Sequence, residues 1–279
     1  MTWIALPEKR QPTREAVALK SVRKMHWPLA ASYPDYFLQL GALLRDPTYL
    51  GTDVPKGAGE PILLIPGFLC GDWTMGVMAG WLTRLGYRAY FSGIAWNIDC
   101  PNRTAELLHW RLDSITQATG RPIVVVGHSL GGMLARFLGV NFPKQICNVV
   151  AIGSPIDNPM RVHPLVLLAS HLLRVLGRTV GNSSSECPNS LPCTCKFAQA
   201  VSSPLPQGVR FTAIFSKEDG VVDWRACLDP RGENREVSGR HAGLTVNREV
   251  YRILASTLGH AQRVADSACS PVLPERQAA

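Results

Sequence analysis

A chain of 279 residues, 46% hydrophobic and 18% charged, can bury the core of one large domain, and this composition excludes global disorder. Lys and Arg number 29 against 21 Asp and Glu, a net charge of +8 that permits loose attraction to anionic surfaces. No dense basic run with interleaved aromatics occurs, so the charge does not point to nucleic acid. The opening Met1-Thr2-Trp3-Ile4-Ala5-Leu6-Pro7 lacks the basic-then-apolar plan of a signal peptide. The longest apolar stretch, Leu165 to Leu176, is too short to span a bilayer and carries His171 and Arg174. A cytoplasmic chain with at most peripheral contact to a lipid surface is the expectation. Its 8 cysteines include no Cys-x-x-Cys pair of zinc-site type. Cys187, Cys193 and Cys195 cluster; free thiols are expected there, with a disulfide or an adventitious metal as the alternatives.

Residues 1–58 read as an arm packing on the main domain, with membrane-surface or partner docking as the alternative. Within it Arg14 to Lys24 is basic and helix-compatible, Tyr33 to Leu44 is an amphipathic helix begun after Pro34, and Asp53 to Gly59 is a turn-rich linker. The main domain is expected over residues 59–263. It opens with a buried strand over Pro61 to Ile65 that runs into Pro66-Gly67-Phe68-Leu69-Cys70-Gly71, and a helix follows through Met78, Trp81 and Leu85. Glycine lets such a loop approach a ligand closely, and the Phe68 N–H is the candidate donor. An ordinary strand-to-helix turn is the competing reading. Tyr87 to Phe91 forms the next strand, and Ala105 to Ala118 an amphipathic helix with Leu107, Leu108, Leu112 and Ile115 on one face.

Ile123 to Val126 is an apolar, β-branched run of the kind that makes a fully buried parallel strand. Met133 to Val140 reads as a mostly buried helix. Between them stands Gly127-His128-Ser129-Leu130-Gly131-Gly132, a strand–turn–helix with Ser129 at the tip. Gly127 and Gly131, two residues to either side, fit a turn where strand and helix pass too close for side chains. Strained backbone there would lift the Ser129 hydroxyl out of the fold, within reach of a base and a substrate carbonyl. A phosphate-binding turn is the alternative, but neither a Gly-x-Gly-x-x-Gly spacing nor a Walker lysine is present. His128 reads as a packing and hydrogen-bonding residue, since adjacent side chains point apart.

Ile146 to Ile152 is another buried strand, ending in Gly153-Ser154-Pro155. Strands alternating with helices predict an α/β fold: a mostly parallel central sheet with helices on both faces and its site beyond the strands' C-terminal ends. The rhythm breaks over about 156–208, an excursion expected to be a lid or cap; Val162 to Leu176 is helical in composition, and Gly181 to Pro206 is rich in Ser, Pro and Cys. His109, His163, His171 and His260 are taken as surface or lid residues, with substrate binding an alternative for His163 and His171. Val209 to Phe215 resumes the sheet and leads into Ser216-Lys217-Glu218-Asp219-Gly220-Val221-Val222-Asp223. A carboxylate in this turn can receive a base histidine; Asp219 is the first candidate, Asp223 the second and Glu218 the third. A short edge strand follows over Asn234 to Val237. Gly239-Arg240-His241-Ala242-Gly243 places His241 in a glycine-flanked loop, the last helix runs from about Asn247 to Leu258, and residues 264–279 read as a flexible tail.

Four stretches, Pro66-Gly67-Phe68, Gly127-His128-Ser129-Leu130-Gly131-Gly132, Ser216 to Val222 and His241-Ala242-Gly243, together resemble the α/β-hydrolase superfamily from about Glu60 to His260. The likeness is greatest to bacterial lipases and carboxylesterases. One departure is Arg240, where related sequences often place Gly or Asp before the histidine. The resemblance implies an ester hydrolase working through an acyl-enzyme, with Ser129 as nucleophile, His241 as base, Asp219 as its orienting acid, and the Phe68 and Leu130 N–H groups as an oxyanion hole. It implies a small-molecule or lipid ester as substrate, and no metal or organic cofactor. Acyl transfer or thioester hydrolysis by the same triad, and a silent hydrolase fold serving as a receptor, are the competing functions.

Overall fold

A computed structural model describes residues 34–157, 162 and 196–268, with side chains described as far as residue 259. The excursion at 156–208 lies largely outside the described residues, with Cys187, Cys193, Cys195, His163 and His171; Arg14 to Lys24 does too.

Among the described residues six strands form one sheet: β1 (Pro61–Ile65), β2 (Arg88–Phe91), β3 (Ile123–His128), β4 (Ile146–Ile152), β5 (Arg210–Phe215) and β6 (Glu233–Glu236). Their spatial order is β2-β1-β3-β4-β5-β6 and every pairing is parallel. Parallel strands need crossovers, and helices provide them. These are α3 (Gly76–Arg84), α4 (Pro101–Thr119), α5 (Leu130–Asn141) and α6 (Lys196–Val201); α1 (Pro34–Leu43) and α2 (Pro47–Leu50) precede the sheet, and α7 (Arg248–Ala268) follows its last strand.

The strand period of two divides the core. Ile62, Leu64, Val124, Val126 and Val150 face α3 and α7, packing on Met78, Trp81, Val250, Tyr251 and Leu254. Leu63, Ile65, Val125 and Val149 face the opposite layer, packing on Leu108, Leu112, Leu134 and Leu138 of α4 and α5. Most of these side chains are fully buried, and each contributes about 1.5–3 kcal/mol relative to exposure. Continuous apolar runs are what a strand covered on both faces requires.

Three sequence readings need correction. Leu107 is 59% exposed, because the buried face of α4 runs through Ala105, Leu108, Leu112 and Ile115 and Leu107 sits about a quarter turn away. The last helix does not end at Leu258 but continues to Ala268, into the stretch read as tail. The edge strand covers Glu233–Glu236, one residue before its expected span.

Residues 34–58 lie against the core. Leu43 is fully buried, the Trp81 indole N–H donates to the Thr48 carbonyl, and Arg121 donates to that of Ala58. Among the described residues no helix is long and apolar enough to cross a membrane.

Candidate active site

The strand order reverses between β1 and β3, since β2 lies on one side of β1 and β3 on the other. In open α/β sheets the loops leaving such a switch point part and open a crevice. Here those loops carry Phe68 and Ser129.

Ser129 closes β3 and caps α5 with φ 54° and ψ −121°, a backbone state rarely adopted by a residue bearing a side chain. Its N–H donates to the Ile152 carbonyl of the neighbouring strand at 2.8 Å. The flanking glycines are required by contact. A Cβ on Gly127 would stand 2.1 Å from the Gly131 carbonyl oxygen, and one on Gly131 2.2 Å from that of Ile65. A side chain at either position would push strand and helix apart.

The loop after β1 is pinned from behind. Asn97 is 1% exposed; its side-chain amide donates to the Pro66 carbonyl at 2.8 Å, its own carbonyl receives the Leu69 N–H at 3.1 Å, and its N–H donates to the Cys70 carbonyl at 2.8 Å. The Asp72 carboxylate accepts from the N–H groups of Ser92 and Gly93 and from the Ser92 hydroxyl. Burial raises the Asp72 pKa, against the lowering effect of the Ser92 hydrogen bonds. With the Leu69 N–H spent on Asn97, the Phe68 N–H is left without an acceptor among the described residues. So is the N–H of Leu130 in the first turn of α5, where amides lack intrahelical partners and the helix dipole favours negative charge. Gly67 lies between the two loops: a Cβ there would sit 3.2 Å from that of Ser129. The sequence carries no local signal for Asn97, a lone polar residue in an irregular segment.

Asp219 and His241 meet. The Asp219 carboxylate is 4% exposed; Oδ2 lies 2.6 Å from His241 Nδ1, while Oδ1 accepts from the N–H groups of Val221 and Val222 at 2.9 and 2.7 Å. The Asp219 carbonyl also receives the His241 N–H at 3.1 Å. Side chain and backbone of one residue thus hold side chain and backbone of the other. Asp223 and Glu218 are engaged elsewhere. Asp223 caps a short 3-10 turn at Trp224–Cys227 by accepting from the Arg225 N–H, and Glu218 accepts from the Gly239 N–H.

His128 joins the two halves. It is 6% exposed, and its Nε2 lies 3.0 Å from the His241 carbonyl oxygen, with the two rings 4.7 Å apart. Burial first, and the neighbouring His241 second, push its pKa down to about 3, so the ring is neutral. A neutral ring facing a carbonyl must carry its hydrogen on Nε2, so Nε2–H donates and Nδ1 is bare. His241 is thereby held beside the residue that precedes Ser129. Among the described residues no group of three or more His, Cys, Asp or Glu side chains is arranged to hold a metal ion.

The arrangement offers a serine in a strained turn, a histidine oriented by a buried carboxylate, and two amides without an acceptor among the described residues. The triacylglycerol lipase of Burkholderia plantarii is 25% identical over 122 residues, covering 40% of this chain and 34% of that protein, so the match spans about a third of that curated relative. Bacillus licheniformis lipase BlEst2 in its mature form superposes with a TM-score of 0.53 at 15% identity, over 74% of this chain and 94% of that one. A chain from the structure of LipS and LipT, two metagenome-derived lipolytic enzymes, gives 0.51 at 15% identity, over 75% and 96%. At such identities these two likenesses bear on the fold alone. The sequence profile of the alpha/beta hydrolase family matches residues 62–273, about three quarters of the chain, and the protein belongs to that family.

Proposed function

We propose that this protein hydrolyses carboxylic esters of small molecules or lipids through a Ser129–His241–Asp219 triad and an acyl-enzyme. The observation that carries this reading is the Asp219–His241 contact at 2.6 Å beside the strained Ser129 turn. A serine hydroxyl is a weak nucleophile until a base takes its proton. His241, its Nδ1–H held by Asp219, presents Nε2 as that base; it takes the Ser129 proton as the ester carbonyl is attacked and returns it to the leaving alcohol. Asp219 holds the ring in place and stabilises the imidazolium. The Phe68 and Leu130 N–H groups receive the oxyanion, and each well-aimed donor lowers the barrier by about 3–4 kcal/mol. Water, activated by the same histidine, releases the acid. The name of the curated relative, a triacylglycerol lipase, supports an ester as the substrate class.

The test is hydrolysis of p-nitrophenyl esters from acetyl to palmitoyl, with Ser129→Ala alongside. Serine-dependent turnover is expected, with the variant down by about 10⁴-fold or more. Equal turnover by Ser129→Ala would reject the triad. A folded but inactive wild type that still reacts with a fluorophosphonate would instead favour acyl transfer, and one that does not react would favour a silent receptor.

A further inference from the structure

Helix α1 lies ahead of the stretch that matches the family, yet it packs on the loop that carries His241. Asp35 and Gln39 are four residues apart in α1, so both side chains emerge from one face. That face meets Gly239 and Gly243, which flank His241. A Cβ on Gly243 would stand 2.6 Å from Asp35 Oδ2, and one on Gly239 would stand 3.0 Å from Gln39 Nε2. Gly239 also has φ +106°, a conformation side chains resist. The two glycines leave room for the two side chains.

Hydrogen bonds use that closeness. Asp35 Oδ2 accepts from the Arg240 N–H at 3.1 Å. Gln39 Oε1 accepts from the Asn247 side-chain amide at 3.1 Å, and the same amide donates to the Ser238 carbonyl at 2.8 Å. Asn247 Oδ1 in turn accepts from the N–H groups of Glu249 and Val250 at the start of α7. Three of the four backbone groups of Arg240 and His241 are therefore each captured by a different remote element. Arg240 N–H goes to α1, His241 N–H to the Asp219 carbonyl after β5, and His241 C=O to His128 at the end of β3. Side chains that fix a base must hold it to within a fraction of an ångström, and their own support matters as much as their identity.

We infer that α1 is a brace for the base histidine, with Asp35 and Gln39 acting as positioning residues for His241 rather than touching substrate. The inference rests on the assignment of His241 as the base. The brace uses the backbone N–H of Arg240, which any residue but proline supplies.

The experiment uses the full chain and two readouts, kcat and KM on its fastest p-nitrophenyl ester, and the rate of fluorophosphonate labelling of Ser129. Asp35→Ala is expected to lower kcat and the labelling rate together by about 10-fold, with KM within about twofold. Asp35→Asn keeps an acceptor oxygen and is expected to restore most of both. Leu38→Ala, on the exposed side of the same helix, is expected to change neither. If Asp35→Ala does not fold, Gln39→Ala carries the test, with a fall in kcat of at least about threefold at unchanged KM expected. A folded Asp35→Ala, or in its place Gln39→Ala, with wild-type kcat overturns the brace, as does an Asp35→Asn no better than Asp35→Ala. Ser129→Ala run in parallel separates the two ideas. Serine-dependent turnover indifferent to Asp35 and Gln39 rejects the brace alone, whereas turnover that survives Ser129→Ala rejects the triad and the brace with it.

Discussion

The Ser129 turn and the His241 loop sit side by side and are held in opposite ways. At Gly127 to Gly132 the constraint is backbone against backbone: carbonyl oxygens stand where a Cβ would have to go, and glycine is the residue that fits. At Gly239 to Asn247 the constraint is a set of hydrogen bonds from partners distant in sequence, Asp219, His128, Asp35 and Gln39. The first geometry is written into a few consecutive residues. The second exists only once the chain has folded, because each partner arrives on a different element. A turn held by sterics fails when something is added; a loop held by polar partners fails when something is taken away or reversed.

The sharpest reversal is Asp219→Asn. The amide keeps an acceptor for the Val221 and Val222 N–H groups but turns an NH₂ toward His241 Nδ1, which favours the wrong tautomer. We expect kcat to fall by about 10³–10⁴-fold with little loss of stability. Asp223→Asn, at a residue that caps a turn and pairs with the exposed Arg225 and has no hydrogen bond to His241, is expected to leave kcat nearly unchanged. Steady-state kinetics on both variants decides the matter, and the opposite ranking would give the acid's role to Asp223.

The same contrast explains what could be read from the sequence. Val124-Val125-Val126-Gly127 ahead of Ser129, with Gly131 beyond, specifies a buried strand and a tight turn by residue type alone, so strand and Ser129 turn were legible together. Asp219 could be ranked above Asp223 only on its place directly after β5. Asn97, Asp35 and Gln39 carry no signature, because what they do depends on the elements they face. Leu107 was misplaced for a related reason: a helix with apolar residues on adjacent rows does not say which row the sheet will cover, and burial of Leu108 decided it.

On the steric side the expected failure is Gly131→Ala. The added methyl would lie 2.2 Å from the Ile65 carbonyl oxygen, and neither β1 nor α5 can retreat without opening the sheet layer. A loss of about 3 kcal/mol is expected, read as a lowered urea midpoint, together with loss of fluorophosphonate labelling. Gly76→Ala is the matched control. Its Cβ would meet nothing within 4 Å and its φ is −60°, so stability should hold or rise slightly. Equal effects at the two positions would remove the argument that close approach, rather than glycine content, shapes the turn.

His128 belongs to the first region by sequence and to the second by its hydrogen bond, so it gives the finest test of how the two are joined. Its pKa is about 3 in the folded protein against 6.5 for a free histidine. Above pH 6.5 the ring is neutral both folded and unfolded, and its stabilising contribution is fully present. As pH falls from there toward 3 the unfolded chain takes up a proton that the folded chain refuses, so stability is lost with acid. Between pH 7.5 and pH 5 this one group should remove about 2 kcal/mol. His128→Gln keeps a donor for the His241 carbonyl but does not titrate. The drop in unfolding free energy over that interval should therefore shrink by about 2 kcal/mol in urea titrations of the variant. An unchanged slope would mean that His128 accepts a proton in the folded state. The hydrogen on Nε2 would still face the His241 carbonyl, but the bond would then join a charged ring to the base-bearing loop, and it would weaken as pH rises through the range where an ester hydrolase must work.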